Sequence, residues 1–130
     1  MSLQPIPTRA AQAGADLTGK LYCFVKIAPT GKYIVCGAGD HADAVLCSEN
    51  TLDGSISLSV GDFALVRVPA SPAHDLVPSD QVVSDSNGHA IRHDDGSSGD
   101  VINGTVWIGP TEIAAGFKIV LVRLQYLGIS

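Results

Sequence analysis

The chain has 130 residues, 45% of them apolar, and a formal net charge of −5. That length and apolar content describe one domain with a real core and exclude a disordered chain. The acidic balance, with no basic cluster, excludes the concentrated positive stripe that nucleic-acid binding requires.

Two glutamates, Glu49 and Glu112, stand against eleven aspartates and four lysines. Long helix-favouring side chains are therefore scarce, while Val, Ile, Thr, Gly and Ser abound, and that balance favours strands and turns. Residues 1–16 read as an extended arm, because Pro5 and Pro7 remove amide donors and no apolar period appears. The same stretch lacks an apolar h-region, so an export signal is not expected. No run approaches the roughly 18 apolar residues of a membrane-spanning helix, so no membrane partner is expected.

The folded domain is expected over 17–130. Residues 17–28 alternate, with Leu21, Cys23, Val25 and Ile27 on one face and Tyr22, Phe24 and Lys26 on the other. Pro29-Thr30-Gly31 is a turn, and 32–36 is the returning strand of a hairpin. A loop over 37–41 leads to a short strand at 43–47. Residues 55–60 alternate cleanly, with Ile56, Leu58 and Val60 inward and Ser55, Ser57 and Ser59 outward. Gly61-Asp62 precedes a strand at 63–68, and three prolines make 69–78 a surface loop. Residues 81–84 and 90–93 pair across Ser86-Asn87-Gly88, since Asn-Gly tolerates positive φ. The polar, Gly/Ser-rich 94–99 segment is a loop. A strand over 101–108 contains Asn103-Gly104, which marks a bulge or a close backbone approach. One helical turn fits 111–115. Residues 117–124 are apolar on both faces apart from Lys118 and Arg123, so this strand is central or lies in a subunit interface. The expected fold is all-β: a small β-barrel or sandwich of short antiparallel strands with an extended N-terminal arm. Mean hydropathy is positive despite few charges, so some strand faces are expected to be buried against other subunits.

Few residues invite chemistry. Cys23, Cys36 and Cys47 lie at strand-to-strand spacing, unlike the close pairs of a zinc knuckle, and their odd count argues against a disulfide framework. They read as buried, free, small apolar side chains. His89 and His93 on one strand face would stand about 13 Å apart, too far to share a metal. The run from Asp94 to Asp100 lacks the alternating acids and closing Glu of a calcium loop. Nucleophile-elbow, phosphate-loop and dinucleotide motifs do not occur. Asn103-Gly104-Thr105 formally matches a glycosylation acceptor but lies inside an expected strand. Trp107, the single tryptophan, reads first as an inter-sheet core plug and alternatively as an interface anchor. No catalytic, cofactor-binding or metal-ligating residue is assigned.

The order of the turns over 17–124 resembles the head decoration (capsid cement) proteins of tailed bacteriophages. Ala44-Val45-Leu46 is similar to the family's short Gly-Val-Leu strand, and Asp53-Gly54 through Gly61-Asp62 to its following hairpin. Leu76-Val77-Pro78-Ser79-Asp80-Gln81-Val82 is similar to its step through a Gly-Asp turn into valine, with Ser for Gly. Asp85-Ser86-Asn87-Gly88 fits the next turn. Val101-Ile102-Asn103-Gly104-Thr105-Val106 with Gly116, Val120 and Val122 looks like the closing strand pair. The chain departs from the family pattern in its long arm, its enlarged 69–78 loop and Trp107.

The resemblance implies a non-enzymatic, cofactor-free virion protein with a decoration domain over 17–130. It would bind the major capsid protein on the outer surface of the head, after assembly in the host cytoplasm. It implies a homo-oligomeric cluster, a trimer ahead of a dimer. Ile6 and Arg9 in the arm, Leu76 and Val77 in the loop, and Trp107 are the expected capsid or subunit contacts. The alternative is a carbohydrate-binding or adhesive β module, which needs exposed aromatics from among Tyr22, Tyr33, Trp107 and Tyr126. A third reading, a small hydrolase, would recruit His41 or His89 to a serine and an aspartate from separate loops.

Overall fold

Gly61-Asp62 divides the chain into two antiparallel sheets. The computed structural model describes residues 8–69, 76–97, 99–114 and 117–124. The first half supplies β1 (Thr8–Gln12), β2 (Phe24–Ile27), β3 (Tyr33–Val35), β4 (Ala44–Leu46) and β5 (Ser55–Ser59). They form one sheet in the order β1-β5-β4-β2-β3. The second half supplies β6 (Phe63–Val68), β7 (Gln81–Ser84), β8 (Ala90–Arg92), β9 (Gly104–Ala114) and β10 (Phe117–Leu124), ordered β6-β10-β9-β7-β8. The all-β expectation holds, and β10 is a central strand between β6 and β9, one of the two places its two-sided apolar character allowed.

The two sheets face each other across one core. Phe24 and Val45 from the first sheet pack with Val66, Val82, Val106, Val120 and Val122 from the second. A second core lies on the opposite face of the first sheet, where Val25, Leu46, Ile56 and Leu58 are covered by Ala13 and Leu17. The covering segment is tied down by its backbone: Gly14 N–H donates to the Tyr33 carbonyl at 2.7 Å and Leu17 N–H to that of Asn50 at 2.9 Å. The first sheet is thus buried on both faces. That is why Ala44, Val45 and Leu46 are all buried in succession and do not alternate.

Several expected boundaries move. Of the described arm residues, 8–12 form β1, which pairs with β5 from Thr8↔Ser59 to Gln12↔Ser55 and so extends the domain's own sheet. Residues 17–28 do not form one long strand. Tyr22 takes φ 65°, and β2 starts only at Phe24. Ile27, placed by alternation on the face of Val25, is exposed where Val25 is buried, because it sits at the turn end of the hairpin, opposite Tyr33 and next to the Ala28–Lys32 turn. Residues 111–114 are strand and not helix, since Thr111, Glu112 and Ala114 pair with Ile119, Lys118 and Phe117. Long-range pairing overrides the local preference here.

Asn103 and Gly104 do opposite jobs at the start of β9. A Cβ on Gly104 would stand 2.4 Å from Val122 Cγ1 and 2.6 Å from the Arg123 carbonyl oxygen, the close backbone approach that its position in the sequence implied. Asn103 is buried, and its amide clamps the loop between β3 and β4. Its Oδ1 accepts from Ala42 N–H at 2.9 Å, and its Nδ2 donates to the Asp40 carbonyl at 3.0 Å. On the neighbouring side, the Asn87-Gly88 turn docks on β2. Phe24 N–H donates to the Gly88 carbonyl at 2.8 Å, and Gly88 holds φ 76° with Val35 close by.

Cys23 and Cys36 are buried and free, and burial pushes their thiols up to about 11 and about 12. Cys47 is less covered, with its thiol also raised by burial.

Three outcomes follow from this packing. Asn103→Ala leaves one buried donor and one buried acceptor unpaired and should cost about 2–3 kcal/mol, read as a lower urea midpoint. Gly88→Ala should cost about 2 kcal/mol or more, because an L side chain resists φ 76° and its Cβ would lie 2.6 Å from Val35 Cγ1. With a thiol reagent at pH 8, the native protein should be modified at Cys47 first, with Cys23 and Cys36 reacting only on unfolding; mass spectrometry of digests reads the order.

Candidate interface on the second sheet

The second sheet turns one face to the inter-sheet core and leaves the other without a covering layer among the described residues. On β6, Ala64, Val66 and Val68 point inward, so Phe63, Leu65 and Arg67 point outward. The β6–β10–β9 registers align these outward residues in rows. Leu65 pairs with Leu121 and Leu121 with Ile108. Phe63 pairs with Arg123 and Arg123 with Thr105; Arg67 pairs with Ile119 and Ile119 with Thr111. An apolar row, Leu65–Leu121–Ile108, therefore crosses three strands between two more polar rows.

The register shifts of β9 enlarge this patch. Its 11 residues run against the 8 of β10. Pairing passes from Ala114 to Glu112 across Ile113, and from Ile108 to Val106 across Trp107. Two residues of β10 span Thr111 to Ile108, so a further extra residue falls at Gly109-Pro110. A bulge breaks the two-residue period. Trp107 and Ile108 are accordingly exposed one after the other, at 54% and 56%, and Ile113 is also exposed.

Among the described residues, the edge of β9 beyond Val106 has no strand partner. β7 pairs with it only at Gln81↔Thr105 and Val82↔Gly104, followed by Ser79 N–H to the Val106 carbonyl and Val106 N–H to the Asp80 carbonyl. The bulges, and Pro110 with no N–H to offer, blunt this edge against pairing with another chain's strand. Recognition on this face therefore falls to side chains.

The expected contact residues divide. Trp107 is not a core plug. Val106 takes the inward place, and Trp107 stands on the surface with its ring 5.5 Å from that of Phe63 at 72°. Leu76 is not available for contact, because it is buried in the inter-sheet core at 2% exposure. Its backbone lies beside β9, with its carbonyl oxygen 3.3 Å from where a Cβ on Gly109 would stand. Val77 is exposed, with its N–H held by Asp80 Oδ2 at 2.9 Å. Arg9 lies in β1 opposite Leu58, and Ile6 lies outside the described residues. The fold thus brings Leu76, Val77 and Trp107 to one margin of the second sheet. Sequence reasoning missed Ile108, Ile113 and Leu65. The two-sided apolar pattern of β10 was the available signal for Leu121 and its row, whereas the bulges left no local trace.

The other end of the face is structured by aromatic contacts. The Arg67 guanidinium sits 4.2 Å over the Phe117 ring, and Tyr22 meets that ring edge-on at 6.3 Å. Arg67 N–H also donates to the Tyr22 carbonyl, closing that part of the β6 edge. His41 and His89 lie elsewhere. His41 Nδ1 is 3.6 Å from Asp43, and His89 Nδ1 is 4.0 Å from Asp85. Burial lowers the His89 pKa below the usual imidazole value, with Asp85 acting in the opposite sense. His93 is not in line with His89 on one strand, since the chain enters a 3-10 turn at His93–Asp95. Among the described residues no group of three His, Cys, Asp or Glu side chains could hold a metal ion.

No family model matches this sequence, and no curated protein matches it. Its fold is similar to that of a solved structure, the head fiber gp8.5 N base in bacteriophage phi29, with a TM-score of 0.65. The two are 13% identical, and the likeness covers 95% of this chain and 98% of that one. The two proteins share one fold along essentially their whole described length.

Proposed function

We propose that this chain is a structural protein of a tailed-phage head, a decoration protein that seats the outer face of its second sheet on the shell or on neighbouring copies in a symmetric cluster. The observation that carries the reading is the outward-facing apolar row Leu65–Leu121–Ile108, half-buried at Leu65 and Leu121 and exposed at Ile108, on a fold that spans the same length as a phage head-fiber base. A face of that kind, rimmed by Arg67, Arg123 and Thr105, has the make-up of an interface: an apolar centre and a polar margin. Symmetry repeats such a contact many times over a shell. Modest individual affinities then add through avidity, and the shell resists internal pressure without any bond-making by the protein.

The test uses purified protein and heads of the source phage that lack it. The protein should co-sediment with the heads and raise the temperature at which they release DNA. Ile108→Asp, a change at an exposed position that leaves folding intact, should weaken attachment about tenfold or more. Heads that neither bind the protein nor change their melting would remove the proposal.

A further inference from the structure

Where β7 meets β9, two cavities adjoin and share Ser79 and Thr105 as a common wall. One, about 260 Å³, is lined by hydrogen-bonding side chains, chiefly Asp80, Gln81, Arg92 and His93. The other, about 320 Å³, is apolar, bounded by Pro78, Val106 and Trp107. Together they make one groove with a polar end and an aromatic end.

Both ends are held in place before any ligand arrives. Asp80 Oδ2 accepts from Val77 N–H at 2.9 Å and from Arg92 Nε at 3.3 Å, so the carboxylate and the guanidinium are fixed and mutually neutralised. Ser79, on the shared wall, is held at φ 77° while its N–H donates to the Val106 carbonyl. That conformation is costly for a residue with a side chain, and the surrounding structure sustains it. Trp107 is braced edge-to-face by Phe63 yet remains half exposed.

These features select among ligands. An anion gains little, because Asp80 already matches the Arg92 charge and Asp94 adds a negative one on the same wall. A purely apolar ligand leaves the polar end unpaired. A saccharide ring has an apolar C–H face and a rim of hydroxyls that both donate and accept, and it matches both ends at once. We propose that this groove is a saccharide-binding site, with a sugar face against Trp107 and its hydroxyls on Asp80, Gln81 and Arg92. The site goes beyond head attachment, for which Asp80 and Gln81 have no assigned part.

The chain has one tryptophan, so the indole N–H gives a single resonance in a nitrogen–proton correlation spectrum. The probes are glucose, galactose, rhamnose, N-acetylglucosamine and chitotriose, titrated into the free full-length protein. The expected result is a saturable shift of the Trp107 indole and of the Ser79, Gln81 and Thr105 amides with at least one probe, with Kd on the order of 1 mM. Trp107→Ala should weaken that binding about tenfold, followed through the amides, while Trp107→Phe retains most of it. Asp80→Asn should also weaken it and leave attachment to heads unchanged, so the two proposals fail separately. The assignment is overturned if no probe moves these resonances, or if the shifts are the same in Asp80→Asn as in the parent protein, which marks non-specific contact with the indole.

Discussion

The packing of Phe24 and Val45 against Val66, Val120 and Val122 is the contact on which the rest of the molecule depends. It commits one face of each sheet to a common core. The first sheet then covers its remaining face with its own chain, using Ala13 and Leu17. The second half of the chain has no equivalent segment among the described residues. The asymmetry follows from chain order: the segment between β1 and β2 is long enough to fold back over the first sheet, whereas only Val60, Gly61 and Asp62 lead from β5 into β6. An apolar sheet face left on the surface is a contact waiting for a partner, and this one is placed by covalent connectivity as much as by composition.

The long hairpin of β9 and β10 shapes that face. Because β9 is longer than its partner, the excess is absorbed in bulges, and two of them leave a large apolar residue, Trp107 or Ile113, exposed. The same irregularity keeps the exposed strand edge from becoming a template for indiscriminate pairing. Apolar side chains are displayed and backbone donors are withheld, which suits a protein that must bind a defined surface without aggregating.

The loops that border the second sheet are fixed by polar side chains. Asn103 holds the loop between β3 and β4 to the start of β9, while Asp80 ties Val77 to Arg92. The Asn103 bonds bridge residues far apart in the chain, and those of Asp80 hold the wall of the groove beside Trp107. Preorganisation of this kind is what lets a shallow site bind a small ligand at all. The same margin also places Val77 next to the open edge of β9, so the groove and the apolar patch border one another.

The fold class, the turn positions and the central place of β10 were legible in the residues, because Gly, Asn-Gly and period-2 alternation are local signals that act over a few residues. Within β5, Ile56 and Leu58 point inward as the alternation required, whereas Ser59, expected outward, is also buried, because this sheet is covered on both faces. Leu76 and Trp107 show the limit. Leu76 was expected on the surface and lies in the core; Trp107, read first as a core plug and alternatively as an interface anchor, stands at the surface. Nothing in their immediate neighbours distinguishes them. Composition and alternation determined that the chain would make sheets with apolar faces. Which faces are covered, where β9 bulges and which polar side chains meet Trp107 were decided by pairings between distant strands, since burial is a property of what the rest of the chain brings alongside.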